Sequence, residues 1–166
     1  MPLQGRSSFH GLDISIERKK GSMRPWKNPK TGAKGETKMR HDYGYIKGTL
    51  GTDGDHVDVY LGPDLAGAKQ VFVIDQMKIP EEGIEGTKPW TQFDEQKCML
   101  GFATAEEAKK SYLAHFPDDR FFGKITTMSR KDFVDKVSDS KYKGKKLAHA
   151  RLLFPRDLRP YIARFL

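Results

Sequence analysis

The chain has 166 residues, of which 37% are hydrophobic and 31% are charged, and its formal net charge is +8. These values favour a soluble globular domain, and no apolar run approaches the roughly 20 residues that a membrane-spanning helix needs. The basic excess indicates an anionic partner, either a nucleic acid or a small polyphosphate, although a well-solvated surface would give the same balance. The single cysteine, Cys98, excludes an internal disulfide and favours a reducing, cytoplasmic setting.

The first hundred residues carry the patterns of β-strands. Residues 1–10 show no pattern and are expected to form a loose arm, whereas residues 12–17 alternate apolar and polar as a half-buried strand does. Between residues 17 and 40 there are nine basic and two acidic residues, in a stretch whose turn signals predict a loop or hairpin tip. Further strands are predicted at 43–46, 57–61, 71–74 and 93–102, with a surface loop over 77–92.

The remainder of the chain is predicted to be mainly helical. Thr104 and Glu107 form a capping-box pattern that predicts a helix over 104–116, and Ser129 is expected to cap a second helix after an edge strand at 123–128. Strands followed by helices argue for an α+β fold around a small barrel or sheet. We expect one domain over residues 1–166, with a barrel core at 11–102, a helical part at 104–140 and a C-terminal arm at 145–166 that packs on another subunit.

The strongest functional signal is an acidic cluster in this basic chain. The segment Asp53-Gly-Asp55-His-Val-Asp58 places three carboxylates within six residues, and strand alternation directs Asp58 away from Val57 and Val59. Like charges this close resist ionising together unless a cation neutralises them. Carboxylate oxygens suit Mg²⁺, Mn²⁺ or Ca²⁺ better than zinc. The cluster therefore predicts a metal site for a phosphate substrate.

Two other interpretations of the cluster explain less. An EF-hand loop needs a polar ligand at its fifth position and glycine at its sixth, where this chain has Val57 and Asp58. A plain acidic turn explains Asp53 and Asp55, but it explains neither Asp58 inside a strand nor the second charged group at 94–97. A multi-metal centre for phosphoryl transfer uses both the acidic cluster and the surrounding lysines and arginines.

The segment Tyr43-Gly-Tyr-Ile followed by Asp53-Gly-Asp-His-Val-Asp58-Val closely resembles the motif of soluble family I inorganic pyrophosphatases. The resemblance is strong over residues 42–61 and extends over 12–102, and the segments at 71–76 and 93–102 are similar to a divergent pyrophosphatase-like domain of phage proteins. It implies an OB-like five-stranded β-barrel with two or more helices packed outside. It also implies hydrolysis of inorganic pyrophosphate with Mg²⁺, or with Mn²⁺ or another divalent cation, by a homo-oligomer.

The same resemblance implies roles for individual acidic residues. Asp55 would take the proton from the attacking water, and Asp58 would bridge two metal ions. The adjacent pair at 94–95 replaces the family's spaced aspartates, so Asp75 is considered as a substitute. The residues assigned to the metal in this way are Asp53, Asp58, Glu95, Asp94, Glu17 and Asp75.

On the phosphate side, the resemblance places Tyr43 beside the substrate and gives Lys97 a phosphate to hold. The family's lysine after the first strand has no clean counterpart, so Arg24 is the first candidate for its role and Arg40 the second. His56 stands where the family has proline, and residues from about 117 onward match no part of the family pattern.

Two alternatives remain open at this point. The first is a catalytically weak or inactive pyrophosphatase-like barrel that serves as a nucleic-acid-binding or phage structural module, because OB barrels commonly bind nucleic acid and the chain is basic. The second is a nucleotide pyrophosphohydrolase, which differs only in substrate and requires a pocket for a base.

Overall fold

The computed structural model describes residues 2–29, 31–80 and 90–149. Within these ranges the helices are α1 (Ala105–Leu113) and α2 (Arg130–Ser138), followed by a short 3-10 helix at Ser140–Tyr142. The strands are β1 (Gly5–Phe9), β2 (Leu12–Arg18), β3 (Met23–Lys27), β4 (Lys34–Lys38), β5 (Asp42–Ile46), β6 (Val57–Leu61), β7 (Gln70–Met77), β8 (Phe93–Leu100) and β9 (Phe122–Ser129).

Seven of the strands form one sheet in the order β1-β2-β5-β6-β8-β7-β9, and β3 and β4 form a separate hairpin. All neighbours in the large sheet are antiparallel except β6 and β8, which run parallel. The predicted α+β class is confirmed. The large sheet has seven strands where five were predicted, and β1 and β9 are its two edges over the described ranges, so the closed OB-like barrel stays a prediction.

The prediction of a loose N-terminal arm was wrong, because β1 lies within the arm and pairs with β2. His10 and Gly11, both with positive φ, make the tight turn between the two strands. Phe9 is buried and meets Phe133 of α2 edge-on. The strand was missed because Gly5–Phe9 contains a single large apolar residue, too few to produce a period-two pattern.

The two helices cover opposite faces of the large sheet. Phe133 of α2 packs in a core cluster with Ile14 and Val59, whereas Tyr112 of α1 packs in a second cluster with Tyr60. Burial of each such side chain contributes about 1.5–3 kcal/mol. The α1 face also carries the charged residues considered below.

Both predicted helix caps are confirmed. The Thr104 hydroxyl accepts the Glu107 backbone N–H at 3.1 Å, and the Ser129 hydroxyl accepts that of Asp132 at 3.1 Å. None of the described helices is long and apolar enough to cross a membrane.

The predicted C-terminal arm is described only over residues 145–149, where Leu147 and Ala148 are buried. Gln96 holds this segment, because its side chain accepts the Leu147 N–H and donates to the Ala148 carbonyl, both at 2.8 Å. The rest of the arm and residues 81–89 of the predicted loop lie outside the described residues.

Gly44, between Tyr43 and Tyr45 of β5, lies where the neighbouring strand leaves no room for a side chain. Gly44 pairs with Ile16 of β2, and a Cβ built on it would lie 1.9 Å from the Ser15 carbonyl oxygen. Only glycine lets the two backbones come this close. The approach fixes β5 against β2 and so positions the tyrosines on either side of Gly44.

Candidate active site

Three strands bring the candidate residues together. In the sheet β5 lies beside β6, where Tyr43 pairs with Tyr60, and β6 lies beside β8, where Asp58 pairs with Lys97. Directly paired residues share a face, and Glu95 lies two residues before Lys97 on that same face. The four side chains of Tyr43, Asp58, Glu95 and Lys97 therefore converge, while the valines of β6 pack into the opposite core.

Lys97 is the centre of this cluster, with its side chain only 5% exposed. Its Nζ donates to Asp58 Oδ2 at 2.6 Å and to Tyr43 Oη at 2.8 Å, and it forms an ion pair with Glu95. Burial opposes the charge of this ammonium group, but Tyr43, Asp58 and Glu95 outweigh burial and raise the pKa of Lys97. Lys97 therefore remains charged inside the protein.

The β3–β4 hairpin adds a second cation. The Arg24 guanidinium lies 4.4 Å from the centre of the Tyr43 ring, a cation–π distance. Burial opposes its charge, but Tyr43, Tyr60 and Asp58 outweigh burial and raise the pKa of Arg24. Burial likewise raises the pKa of Tyr43, so this residue is a neutral phenol. Because the Tyr43 oxygen accepts a hydrogen bond from Lys97, its own proton is free for an incoming oxygen.

Asp53 and Glu95 form a carboxyl–carboxylate pair beside Lys97. Burial and the hydrogen bond to Asp53 raise the pKa of Glu95 to about 8, against the opposing charge of Lys97. The bond to Glu95 is also the main cause of the lowered pKa of Asp53. Burial and the bond to Asp53 therefore oppose ionisation of Glu95, whereas Lys97 favours it.

The donor set of this pair fits a divalent cation. Asp53 and Glu95 supply hard oxygen ligands, and a cation between them would offset the repulsion of the two carboxylates. The Thr52 hydroxyl oxygen is buried and has no hydrogen-bond partner among the described residues, and Thr52, Asp53 and Glu95 line one small hollow. Over the described ranges, no three His, Cys, Asp or Glu side chains are grouped closely enough to hold a metal.

Asp55 and Glu17 lie on segments that adjoin the strands of this cluster. Asp55 is exposed in the turn before β6, where its backbone N–H donates to Asp53 Oδ1 at 3.1 Å. Glu17 is half-buried at the β-bulge of β2, immediately before Arg18 pairs with Tyr43. Both positions border the strands that carry the cluster.

Three further candidates have their contacts elsewhere. Asp75 pairs in register with Gln96, so it lies on the opposite face of the sheet, where Gln96, Lys124 and Lys146 contact its carboxylate. Asp94 accepts a hydrogen bond from the Gln76 side chain at 3.3 Å. Arg40 is exposed, and its backbone N–H donates to His115 Nε2 at 3.0 Å. The structure therefore does not bring these side chains into the Lys97 cluster, and for Asp75 the reason is strand alternation.

A family model described as Inorganic Pyrophosphatase matches residues 3–138. The chain belongs to the inorganic pyrophosphatase family. The match covers every strand and both helices, including the segment after residue 117 in which the sequence showed no resemblance. No curated protein and no solved structure matches the chain.

Three residues of the candidate site were not predicted from the sequence. Thr52 and Lys145 line the hollow beside Asp53 and Glu95, and Tyr60 packs its ring 4.8 Å from that of Tyr43. The Tyr60 hydroxyl is buried without a hydrogen-bond partner in the described part of the chain. Lys145 lies in the segment Lys143-Gly-Lys-Lys146, and this concentration of lysines near a turn was the only signal for it.

His115 is expected to make the stability of the fold depend on pH. Its Nδ1 lies 2.8 Å from the Ser111 carbonyl and its Nε2 accepts the Arg40 N–H, so the folded state needs the neutral ring. Burial, with the charges of His41 and Arg24, lowers the pKa of His115. The resulting stability is complete above the unfolded pKa of about 6.5 and is lost as the pH falls toward the folded pKa, by at most about 1.4 kcal/mol per pH unit.

We therefore expect His115→Gln, which offers a donor and an acceptor but does not titrate, to flatten the pH dependence of unfolding. Urea denaturation between pH 7 and pH 5 measures the slope. The lowered pKa of His41 acts in the same direction, so part of the slope should remain. The exposed His56, changed to Gln, serves as the control for replacing a histidine elsewhere in the fold. An unchanged slope in His115→Gln would show that this ring is not held neutral.

Proposed function

We propose that the chain hydrolyses inorganic pyrophosphate to two phosphates with the help of Mg²⁺, with Mn²⁺ or another divalent cation as a substitute. The observation that carries this proposal is the buried Lys97, held by Asp58, Tyr43 and Glu95, next to the hollow that Asp53 and Glu95 line. A buried cation beside two acidic side chains suits a substrate that carries both negative charge and bound metal.

The residues that would hold the metal are Asp53 and Glu95, with Asp58 as a further ligand. When bound, a divalent cation lowers the pKa of water toward neutrality and neutralises phosphate charge. On this proposal the carboxylates of the chain hold the cation in place. The buried Thr52 hydroxyl belongs to a residue that lines the same hollow as Asp53 and Glu95.

The cationic residues would bind the substrate. Arg24 offers a planar fork of donors that suits phosphate oxygens, Lys97 adds a fixed charge, and the Tyr43 hydroxyl can donate its free proton. Asp55, exposed in the turn before β6, would accept the proton of the attacking water. The water oxygen forms a bond to phosphorus, the bond from that phosphorus to the bridging oxygen breaks, and two phosphate ions leave.

Phosphate release from pyrophosphate by purified protein tests the proposal. We expect release in millimolar Mg²⁺, a different rate with Mn²⁺ or Zn²⁺, and none after EDTA treatment, because the paired carboxylates then have no cation. No release across the whole metal series would contradict the proposal. Salt-sensitive binding of a random oligonucleotide without release would instead favour the alternative of a binding module.

We extend the proposal to the organisation of the protein. One domain over residues 1–166, closure of the sheet into an OB-like barrel, a homo-oligomer and a cytoplasmic location all accord with the family to which the chain belongs. The similarity to a phage pyrophosphatase-like domain also stays a prediction. Sedimentation equilibrium tests the oligomeric state, and a chain that stays monomeric at high concentration would contradict it.

A further inference from the structure

The β3–β4 hairpin carries an exposed tryptophan on the same face as Arg24. The two strands form their own small sheet, in which Arg24 pairs with Thr37 and Trp26 with Gly35. Residues two apart on a strand share a face and lie about 7 Å apart along it. Because Arg24 lies over the Tyr43 ring, this hairpin face is continuous with the candidate active site.

Trp26 presents one side of its ring to solvent. A Cβ built on Gly35 would lie 2.7 Å from a ring carbon of Trp26, so the ring lies against a backbone that has no side chain to displace it. Even so, Trp26 is 47% exposed, whereas the protein's other tryptophan, Trp90, is buried against Phe121. A flat aromatic surface of this kind is a platform on which a nucleobase can stack.

The hollow beside the Trp26 ring is also bordered by charged residues. Lys27 and Lys34, which face each other across the hairpin, lie at its rim together with Glu36. Like charges directly opposite on a hairpin destabilise it, and a bound anion relieves that cost. The hollow therefore offers the aromatic wall of Trp26, with two lysines at its rim whose backbone positions lie on the face of the hairpin opposite Arg24.

We propose that the site accepts nucleoside diphosphates, with the base stacked on Trp26 and the diphosphate reaching past Arg24 to Lys97. This inference rests on the proposed function, because a nucleoside diphosphate is pyrophosphate with a nucleoside ester on one phosphate. Water attacks the terminal phosphorus and the bond to the bridging oxygen breaks. The products are a nucleoside monophosphate, inorganic phosphate and a proton.

Burial of the cations favours a nucleotide over a polynucleotide. Lys97 is 5% exposed and Arg24 is half-buried, so on this proposal a phosphate that reaches them has to be the end of a chain. An internal phosphodiester has chain on both sides and cannot reach a lysine at that depth. Binding of an oligonucleotide is therefore an outcome that the test must separate from binding of a nucleotide.

The first test compares phosphate release from ADP and from pyrophosphate in Mg²⁺. We expect Trp26→Ala to lower kcat/KM for ADP about ten- to a hundredfold, the range of base–aromatic stacking, and to leave the value for pyrophosphate within about twofold. Trp26→Phe should keep most of the ADP activity. Met23→Ala, an equally exposed residue on the other face of the hairpin, is the matched control and should change neither substrate.

The second test measures binding without turnover, in EDTA. We expect ADP to quench the tryptophan fluorescence of the native chain, but to have little effect on Trp26→Phe, in which only the buried Trp90 remains. If the native chain releases phosphate from pyrophosphate, but Trp26→Ala loses activity toward ADP and pyrophosphate equally, the inference is overturned and the proposed function stands. If ADP quenches the tryptophan fluorescence but no phosphate is released from pyrophosphate, the proposed function is contradicted and nucleotide binding is supported. Tighter quenching by oligo-dT than by ADP, or no quenching by ADP, overturns nucleotide recognition.

Discussion

Lys97→Met is expected to lower the free energy of unfolding by about 3–5 kcal/mol, the cost of breaking a buried ion pair by removing one partner. The ammonium group is held by Asp58 at 2.6 Å, by Tyr43 at 2.8 Å and by Glu95. Methionine fills a similar volume but leaves Asp58 without its counter-charge in a site that is mostly shielded from water. Urea denaturation at neutral pH measures the change.

Burial is the reason for this large effect, and a matched exposed pair shows it. Lys131 contacts Asp135 at 2.7 Å, almost the same distance, but on the surface of α2. Lys131→Met should leave the denaturation midpoint nearly unchanged, because an exposed pair is screened by solvent. Adding Asp58→Asn to Lys97→Met should recover part of the stability by removing the unpaired charge. A Lys97→Met variant within about 1 kcal/mol of the native chain would contradict the buried ion pair.

Asp55→Asn is expected to lower the rate of pyrophosphate hydrolysis by about 10²–10⁴-fold, the usual contribution of a positioned proton acceptor. The amide keeps the size of the carboxylate but cannot accept the proton in the same way. Because the backbone N–H of Asp55 makes the bond to Asp53, the substitution leaves that contact in place. The assay is phosphate release under saturating Mg²⁺, with denaturation to check that the variant is folded.

Asp135→Asn on α2 is the matched control, since it removes an exposed carboxylate from a helix outside the cluster. We expect its rate to equal that of the native chain. Full activity in Asp55→Asn would show that another group accepts the proton of the attacking water. It would not contradict the proposed metal ligands. A loss confined to KM would show that Asp55 acts in binding instead of proton transfer.

Local patterns in the sequence predicted much of the fold. The alternation of apolar and polar residues predicted β2 and β6. Thr104 and Ser129, whose hydroxyl groups can cap a helix, predicted where both helices begin. These signals are local, because a strand face and a helix cap each depend on neighbours a few residues away. The strand β1 escaped, since one apolar residue in five cannot establish a period, and β3 and β4 were predicted only as a loop or hairpin tip.

The residues of the candidate site could be predicted only in part from local sequence patterns. The period of two predicted that Asp58 points away from the valines, and the structure places it so, against Lys97. The choice between Glu95 and Asp75 needed the register of β7 with β8, in which Asp75 lies opposite Gln96 and hence on the other face from Glu95. The register of two paired strands depends on both of them, so the sequence of one strand does not determine it.

The sequence by itself determined the α+β class, most of the elements, the family motif and the acidic cluster at Asp53–Asp58. Only the tertiary structure decided that β6 and β8 pair in parallel, which buries Lys97 against Asp58, and that the β3–β4 hairpin lays Arg24 over Tyr43. It also decided that Trp26 is exposed beside that arginine. The reason is that contacts between segments far apart in the chain depend on how the whole chain packs, whereas periodicity and capping are properties of short segments.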